Sequence, residues 1–228
     1  MKGNIEEITY RQAVDFLLPR HYSGRTPVIC KAFGWFYEND LKAVVTFGKP
    51  ATPTLCKGIC GEEWSDKVYE LNRLCRVDDW HEPLSQFVAF CLRKLKVLDW
   101  IIVSYSDTAM NHHGYIYQAC NFIYTGATPR RTDVYTGSKH SRHYTKGKGE
   151  GMIRKIRSSK HRYVYFCTNN RHLKQYWMDV LRYPIEPYPK GDNENYKLGE
   201  YIKEKYTTGN LSETLTLSEW LDDILGGK

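Results

Sequence analysis

Apolar positions recur along this chain at two periods, and each predicts an element. In "TYRQAVDFLLPR" (9–20), Tyr10, Ala13, Val14, Leu17 and Leu18 fall at helical spacing, Thr9 is placed to cap and Pro19 ends the run, which predicts a first helix. "CKAFGWFYENDLKAVVTFG" (30–48) is two β-rich runs joined at Asn39-Asp40, a hairpin, after which Pro50 and Pro53 break the pattern. "KVYELNRLCRV" (67–77) alternates Val68, Glu70, Asn72, Leu74 and Arg76 against Tyr69, Leu71, Arg73, Cys75 and Val77, as a strand with two unlike faces does. From Pro83, the positions Leu84, Phe87, Val88, Cys91, Leu92, Leu95 and Leu98 predict a strong helix, and "DWIIVSYSD" (99–107) then reads as a buried strand. Strand, helix and strand in this order predict a right-handed crossover.

Beyond a short helix in "GYIYQACNF" (114–122), "FIYTGATPRRTDVYTG" (122–137) and "HRYVYFCTNN" (161–170) are β-branched and aromatic, hence strand-like. Between them, residues 137–162 read as a basic loop with nine Lys or Arg, three His, four Gly and a single Glu. A helix over 171–182, a proline-punctuated connector "IEPYPKGDNEN" (185–195) and an acidic amphipathic helix "LTLSEWLDDILGG" (215–227) complete the chain. The expected domains are therefore 1–182, catalytic and including the basic loop, and 183–228, connector and terminal helix. The terminal helix has two open uses, a dimer contact or a lid.

Charge narrows the partners. The formal net charge of +7 and pI near 8.9 favour a polyanion such as nucleic acid. Seven cysteines, an odd number set mostly in apolar runs, suggest a reducing compartment. "CKGIC" (56–60) allows a metal reading, yet no second close cysteine pair accompanies it to complete four ligands, so buried thiols are expected and no metal. The opening "MKGNIEEITYRQ" is too acidic and polar for a signal peptide, and nowhere do about 18 apolar residues run together, which predicts a soluble cytoplasmic protein with no membrane contact.

The element order, with "YQACNF" (117–122) and the strand "YELNRLCRV", resembles the GNAT acyltransferases. That resemblance implies an α/β (α+β) fold with a mixed, mostly antiparallel central sheet, helices on both faces and, here, a C-terminal extension. "YQACNF" is similar to that family's Tyr-x-x-x-Gly-Phe signature, with Asn121 in the glycine's place, since Asn tolerates the left-handed conformation. The matching Tyr117 would then protonate the leaving group; its alternative is simple packing beside Tyr115. Within the superfamily, "LLPRHYSGR", "YELNRLCRVDDW", "DWIIVSYSD" and "GYIYQACNFIYTG" look most like the bacteriophage Mom proteins, over about residues 1–180. This implies modification of adenine in phage double-stranded DNA to N6-carbamoylmethyl adenine, protection from restriction endonucleases, and work in the cytoplasm of an infected bacterium.

One departure bears on the donor. GNAT enzymes bind the coenzyme A pyrophosphate on a glycine-rich turn before the third helix, whose bare amides face the anion. This chain has "RVDDWHEPLS" there, with no glycine, a proline lacking an N–H, and Asp78, Asp79 and Glu82. Acetyl-coenzyme A is therefore doubtful, and an activated glycine, such as an aminoacyl-tRNA, is expected instead. A glycyl group on N6 is an isomer of carbamoylmethyl, reached when its amine attacks C6 through a five-membered ring.

For the chemistry, His21 is placed as a base, against a loop histidine bonded to backbone. Ser104, Ser106 and Asp107 end a strand where ligands commonly bind, Asp107 either orienting an amine or capping the next helix. His112 and His113 are adjacent and diverge, which disfavours a shared metal. Arg20, Tyr22, Arg25, Arg130, Arg131, Lys139, Arg142, Lys146 and Lys148 are the expected nucleic-acid contacts, with Tyr22 or Trp35 holding a flipped adenine. The alternatives are an ordinary N-acetyltransferase acting on a protein or small amine, and a non-catalytic DNA-binding module.

Overall fold

A computed structural model describes residues 2–21, 23–134, 154–192, 205–207 and 215–216. The elements run β1 (Asn4–Glu7), α1 (Tyr10–Leu17), β2 (Lys31–Tyr37), β3 (Asp40–Gly48), α2 (Pro53–Cys60), β4 (Val68–Arg76), α3 (Leu84–Leu95), β5 (Trp100–Asp107), α4 (Tyr115–Ala119), β6 (Ile123–Ala127), β7 (Arg131–Val134), β8 (Arg154–Arg157), β9 (Lys160–Cys167), α5 (Arg171–Asp179), β10 (Lys205–Thr207) and β11 (Leu215–Thr216). Seven strands form the central sheet in the order β1-β2-β3-β4-β5-β9-β6, and β11-β10-β8-β7 form a second sheet. In the central sheet β4 and β5 are the parallel pair, joined by α3, and the other neighbours are antiparallel.

The helices divide between the two faces as the alternation of the strands requires. Phe87, Val88, Cys91, Leu92 and Leu95 of α3 pack with Val45, Leu71 and Ile102, whereas Ala13, Phe16 and Leu17 of α1 pack with Ala32 and Val44 on the opposite face. Cys56, Ile59 and Cys60 of α2 and Trp177 of α5 join Val68, Ile101 and Val103, also opposite α3. One face of the sheet thus carries α3 and α4, and the other carries α1, α2 and α5.

Several local expectations hold. Thr9 and Gln12 form a capping box at α1, α3 starts just after Pro83, and the hairpin forms, although its two-residue turn is Glu38-Asn39, both with positive φ, and Asp40 already belongs to β3. Others are corrected. The buried side of α1 is Ala13, Phe16 and Leu17, while Tyr10 and Leu18 are exposed. Pro53 does not merely break the chain but opens α2, as proline does in a first turn. The end of the expected basic loop is strand, because Arg154–Arg157 and Lys160–Cys167 are β8 and β9, and "FIYTGATPRRTDVYTG" divides into β6 and β7 of different sheets. Within the expected terminal helix Leu215–Thr216 are strand, and 217–228 lie outside the described residues.

The β3–β4 register shifts by one between Thr46 and Phe47, leaving Asn72 as an extra residue, a β-bulge. Before the bulge, Leu71 shares the α3 face with Phe47; after it, Arg73 shares the opposite face with Thr46. The simple alternation that grouped Arg73 with Tyr69 and Leu71 is therefore overturned, and Arg73 joins Glu70. Asn72 secures the distortion by accepting from Thr46 Oγ1 at 2.6 Å and donating to Val28 O at 2.7 Å. Only glycine fits at 48, where a Cβ would lie 1.8 Å from Val28 O.

Candidate active site

The parallel ladder of β4 and β5 ends at Leu71 and Ser104, although β4 continues to Arg76 and β5 to Asp107. Each strand keeps its outer neighbour over those residues, with Arg76 on Ala43 and Asp107 on Lys160. The sheet therefore opens between them, at the carboxyl ends of two parallel strands, where α/β proteins commonly bind ligands. The bulge at Asn72 begins where the opening does.

On the face of α1 and α2, Glu70 is the half-buried carboxyl of this opening. Burial raises its pKa, against the opposing pull of the Arg73 and Lys160 cations. Tyr105, beside it, has its phenol pKa raised by burial and by Glu70. His21 comes from the turn after α1. Its Nδ1 accepts from the Ser23 backbone N–H at 3.2 Å, and burial, Arg73 and His112 lower its pKa to about 4. The ring is consequently neutral near pH 7, with its hydrogen assigned to Nε2. Asp107 Oδ1 accepts from Ala109 N at 3.0 Å and from Ser158 Oγ at 2.5 Å, and Lys160 Nζ lies 3.5 Å from Oδ2. The capping use of Asp107 is therefore realised.

The α3 and α4 face holds the other groups. Ser104 is fully buried and donates to Leu71 O at 2.9 Å, so its hydroxyl clamps β4 to β5 at the last pair before they part. Ser106 is also buried, its hydroxyl has no hydrogen-bond partner among the described residues, and the antiparallel register sets it opposite His161. His161 Nδ1 lies 2.9 Å from the Tyr124 hydroxyl, and its pKa is lowered by burial and then by His113. Tyr117 is half-buried, its ring 5.3 Å from that of Tyr163 and 5.5 Å from that of Phe122. Asn121 has the expected left-handed conformation, φ 59°. Residues 183–192 close this side: Glu186 N donates to Tyr124 O, Tyr188 Oη donates to Phe122 O at 2.7 Å, and Tyr115 Oη donates to Gly191 O.

Of the residues expected from sequence, His21, Ser104, Ser106 and Asp107 border the opening on two different faces, and Tyr117 packs against Tyr163, the register partner of Ser104. Arg20 and Arg25 are exposed, Arg20 donating to Phe16 O at 3.2 Å, and Arg130 and Arg131 are exposed where β7 begins. Tyr22, Lys139, Arg142, Lys146 and Lys148 lie outside the described residues. Trp35 cannot hold a base, because it is fully buried against Trp80 and Phe87 and donates to Lys2 O at 2.6 Å. Sequence reasoning missed Glu70, Arg73 and His161. Glu70 left a signal, a carboxylate inside an otherwise strand-forming run, whereas Arg73 required the bulge.

Cys56 and Cys60 lie one turn apart on the buried side of α2, burial raising both thiol pKa values, and no cluster of three or more metal-ligating side chains occurs among the described residues. The turn before α3 does not fit a pyrophosphate. Pro83 caps α3 with no N–H, Asp78 and Asp79 are exposed there, and Trp80 fills the turn against Trp35 and Tyr37. No helix among the described residues is long and apolar enough to cross a membrane.

A mixed sheet opened at its central parallel pair, covered on both faces and holding acid–base groups in the opening, is the GNAT-like transferase architecture. Within that class the chain belongs to the Mom protein family, whose sequence profile matches residues 2–190. It is 24% identical over 208 residues to the methylcarbamoylase Mom of Escherichia phage Mu, covering 82% of this chain and 83% of that protein. Among solved structures, an acetyltransferase of Bacillus subtilis in complex with CoA is 18% identical, covering 72% of this chain and 99% of that one (TM-score 0.42). An N-acetyltransferase of Staphylococcus aureus Mu50 is 11% identical, covering 74% and 100% (TM-score 0.47). Neither likeness bears on the chemistry.

Proposed function

We propose that this protein transfers a glycyl group to N6 of adenine in double-stranded DNA and rearranges it to N6-carbamoylmethyl adenine, a modification that shields phage DNA from restriction in the host cytoplasm. The observation that carries the reading is the opening between β4 and β5 with the raised carboxyl of Glu70 at its edge, in a chain related to a methylcarbamoylase. The turn before α3, unsuited to a diphosphate, favours a donor other than acetyl-coenzyme A, and an aminoacyl-tRNA supplies an activated glycine on a polyanion suited to this basic chain.

In the first step the N6 amine, flipped from the duplex, attacks the glycyl ester carbonyl. Glu70 takes the amine's proton, the ester C–O bond breaks, and the departing hydroxyl takes a proton from Tyr117. In the second step the glycyl amine attacks C6. The bond from C6 to the amide nitrogen breaks, and that nitrogen leaves as the carboxamide, taking the proton the incoming amine gave up. Nothing is gained or lost in this step, which is an isomerisation.

The nitrogen bookkeeping supplies the test. Cells expressing the protein are fed glycine labelled with 15N and 13C, and the modified deoxyadenosine is fragmented in a mass spectrometer. Glycine nitrogen is expected on C6 of the purine, with an unlabelled carboxamide nitrogen. A carboxamide carrying the 15N would refute the rearrangement, and a carbamoylmethyl group without label, beside a purine ring labelled through its own synthesis, would refute the donor.

A further inference from the structure

The second sheet carries an arrangement that its own stability does not explain. The β7–β8 register sets Arg131 directly opposite Arg157, and like charges at opposed positions destabilise a sheet. Arg157 is partly compensated by Asp133, Nη1 to Oδ2 at 3.6 Å, across a half-exposed pair. Arg154 is used structurally, donating from Nε to Thr132 Oγ1 at 2.7 Å and from Nη2 to Thr132 O at 3.1 Å. Arg131 is exposed and makes no ion pair among the described residues. Arg130 precedes it and is exposed too. The register thereby sets two arginines at opposed positions on one face of the sheet, where a shared anion would turn repulsion into attraction.

The position of this pair relative to the opening selects the anion. The second sheet springs from the open end of the central one: Ser158, between β8 and β9, donates to Asp107 Oδ1 at 2.5 Å, Thr128, between β6 and β7, donates from its N–H to Lys160 O at 2.8 Å, and Asp107 and Lys160 are paired on the Glu70 face. Lys160 and Arg162 continue the positive charge along β9, although Arg162 is committed to Thr125 and to the Tyr183 ring. β8 also pairs with β10, so the two arginines stand on a four-stranded sheet, a surface that meets a duplex at its backbone phosphates and not inside a groove.

We propose that Arg131 and Arg157 are a phosphate clamp for duplex DNA, placing the strand that carries the target adenine on the Glu70 side of the opening. The clamp rests on the DNA reading above, and it makes the second sheet, rather than the α3 and α4 face, the acceptor side. Its signature is a trade of stability against affinity, which a purely structural arginine would not give.

The test uses the full chain and measures binding to a duplex oligonucleotide by fluorescence anisotropy across a salt series, beside thermal unfolding, for wild type, Arg131→Gln and Arg131→Glu. Arg131→Gln is expected to weaken binding several-fold and reduce the slope of log affinity against log salt by about 1, with an unchanged or higher unfolding midpoint. Arg131→Glu pairs with Arg157, so it is expected to raise the midpoint while weakening binding more than tenfold. Variants that bind with wild-type affinity and slope would overturn the clamp alone. So would affinity lost only together with a lowered midpoint. Wild-type protein that binds unmodified tRNA but no duplex would overturn the clamp and the DNA reading together.

Discussion

Asn72→Ala tests whether one side chain fixes the place where the sheet opens. Asn72 is the extra residue of the β4 bulge, and it ties that bulge to Thr46 and to Val28 O by two hydrogen bonds. Each is worth about 1 kcal/mol net, and the fully buried Thr46 hydroxyl, once stranded, adds about 1–3 kcal/mol of uncompensated desolvation. The expected loss is about 3–5 kcal/mol, which for a chain of this size lowers the unfolding midpoint by about 6–20 °C. Urea denaturation followed by circular dichroism measures it, with an unchanged m-value confirming that the native state is still being compared. Thr46→Val separates the terms, because it removes the hydroxyl that Asn72→Ala strands. The double variant should therefore cost at least about 1 kcal/mol less than the sum of the single variants. Additive costs, or a loss below about 0.5 kcal/mol for Asn72→Ala, would refute the tethering role.

Glu70 and His21 give opposite pH signatures. Because the Glu70 pKa is raised in the folded state, holding it ionised costs stability as pH rises through the ordinary carboxylate range, and Glu70→Gln should abolish transfer while gaining stability over wild type above that range but not below it. An active variant would remove Glu70 as base. His21 is lowered to about 4, so its contribution is fully present above about 6.5 and is lost as pH falls toward 4; at about 1.4 kcal/mol per unit the loss approaches about 3 kcal/mol. His21→Gln should flatten stability across that window in an acid titration of the unfolding free energy, and an unchanged profile would show that other groups govern it.

The helices α1, α3 and α5 and the hairpin were legible because their apolar periods and their punctuation agree, as at Thr9, Pro83 and Asn39. β1 was not: four residues of which only Ile5 is buried carry no period, and the strand exists because the edge of β2 is there to pair with. α2 was hidden by its prolines, and β8 by a charge content that reads as solvated loop.

The site divides in the same way. Local sequence by itself determined the crossover that makes β4 and β5 parallel, the left-handed Asn121 that ends α4, and the acidic, glycine-free turn before α3, because each depends on the conformational preferences of a few adjacent residues. Only the tertiary structure decided which groups face each other across the opening. A single bulged residue reverses the side on which every later side chain of β4 lies, so Arg73 meets Glu70 only because Asn72 is anchored to Thr46 and Val28, from strand β3 and from the segment before β2. A strand's own alternation contains no record of where its neighbour slips by one.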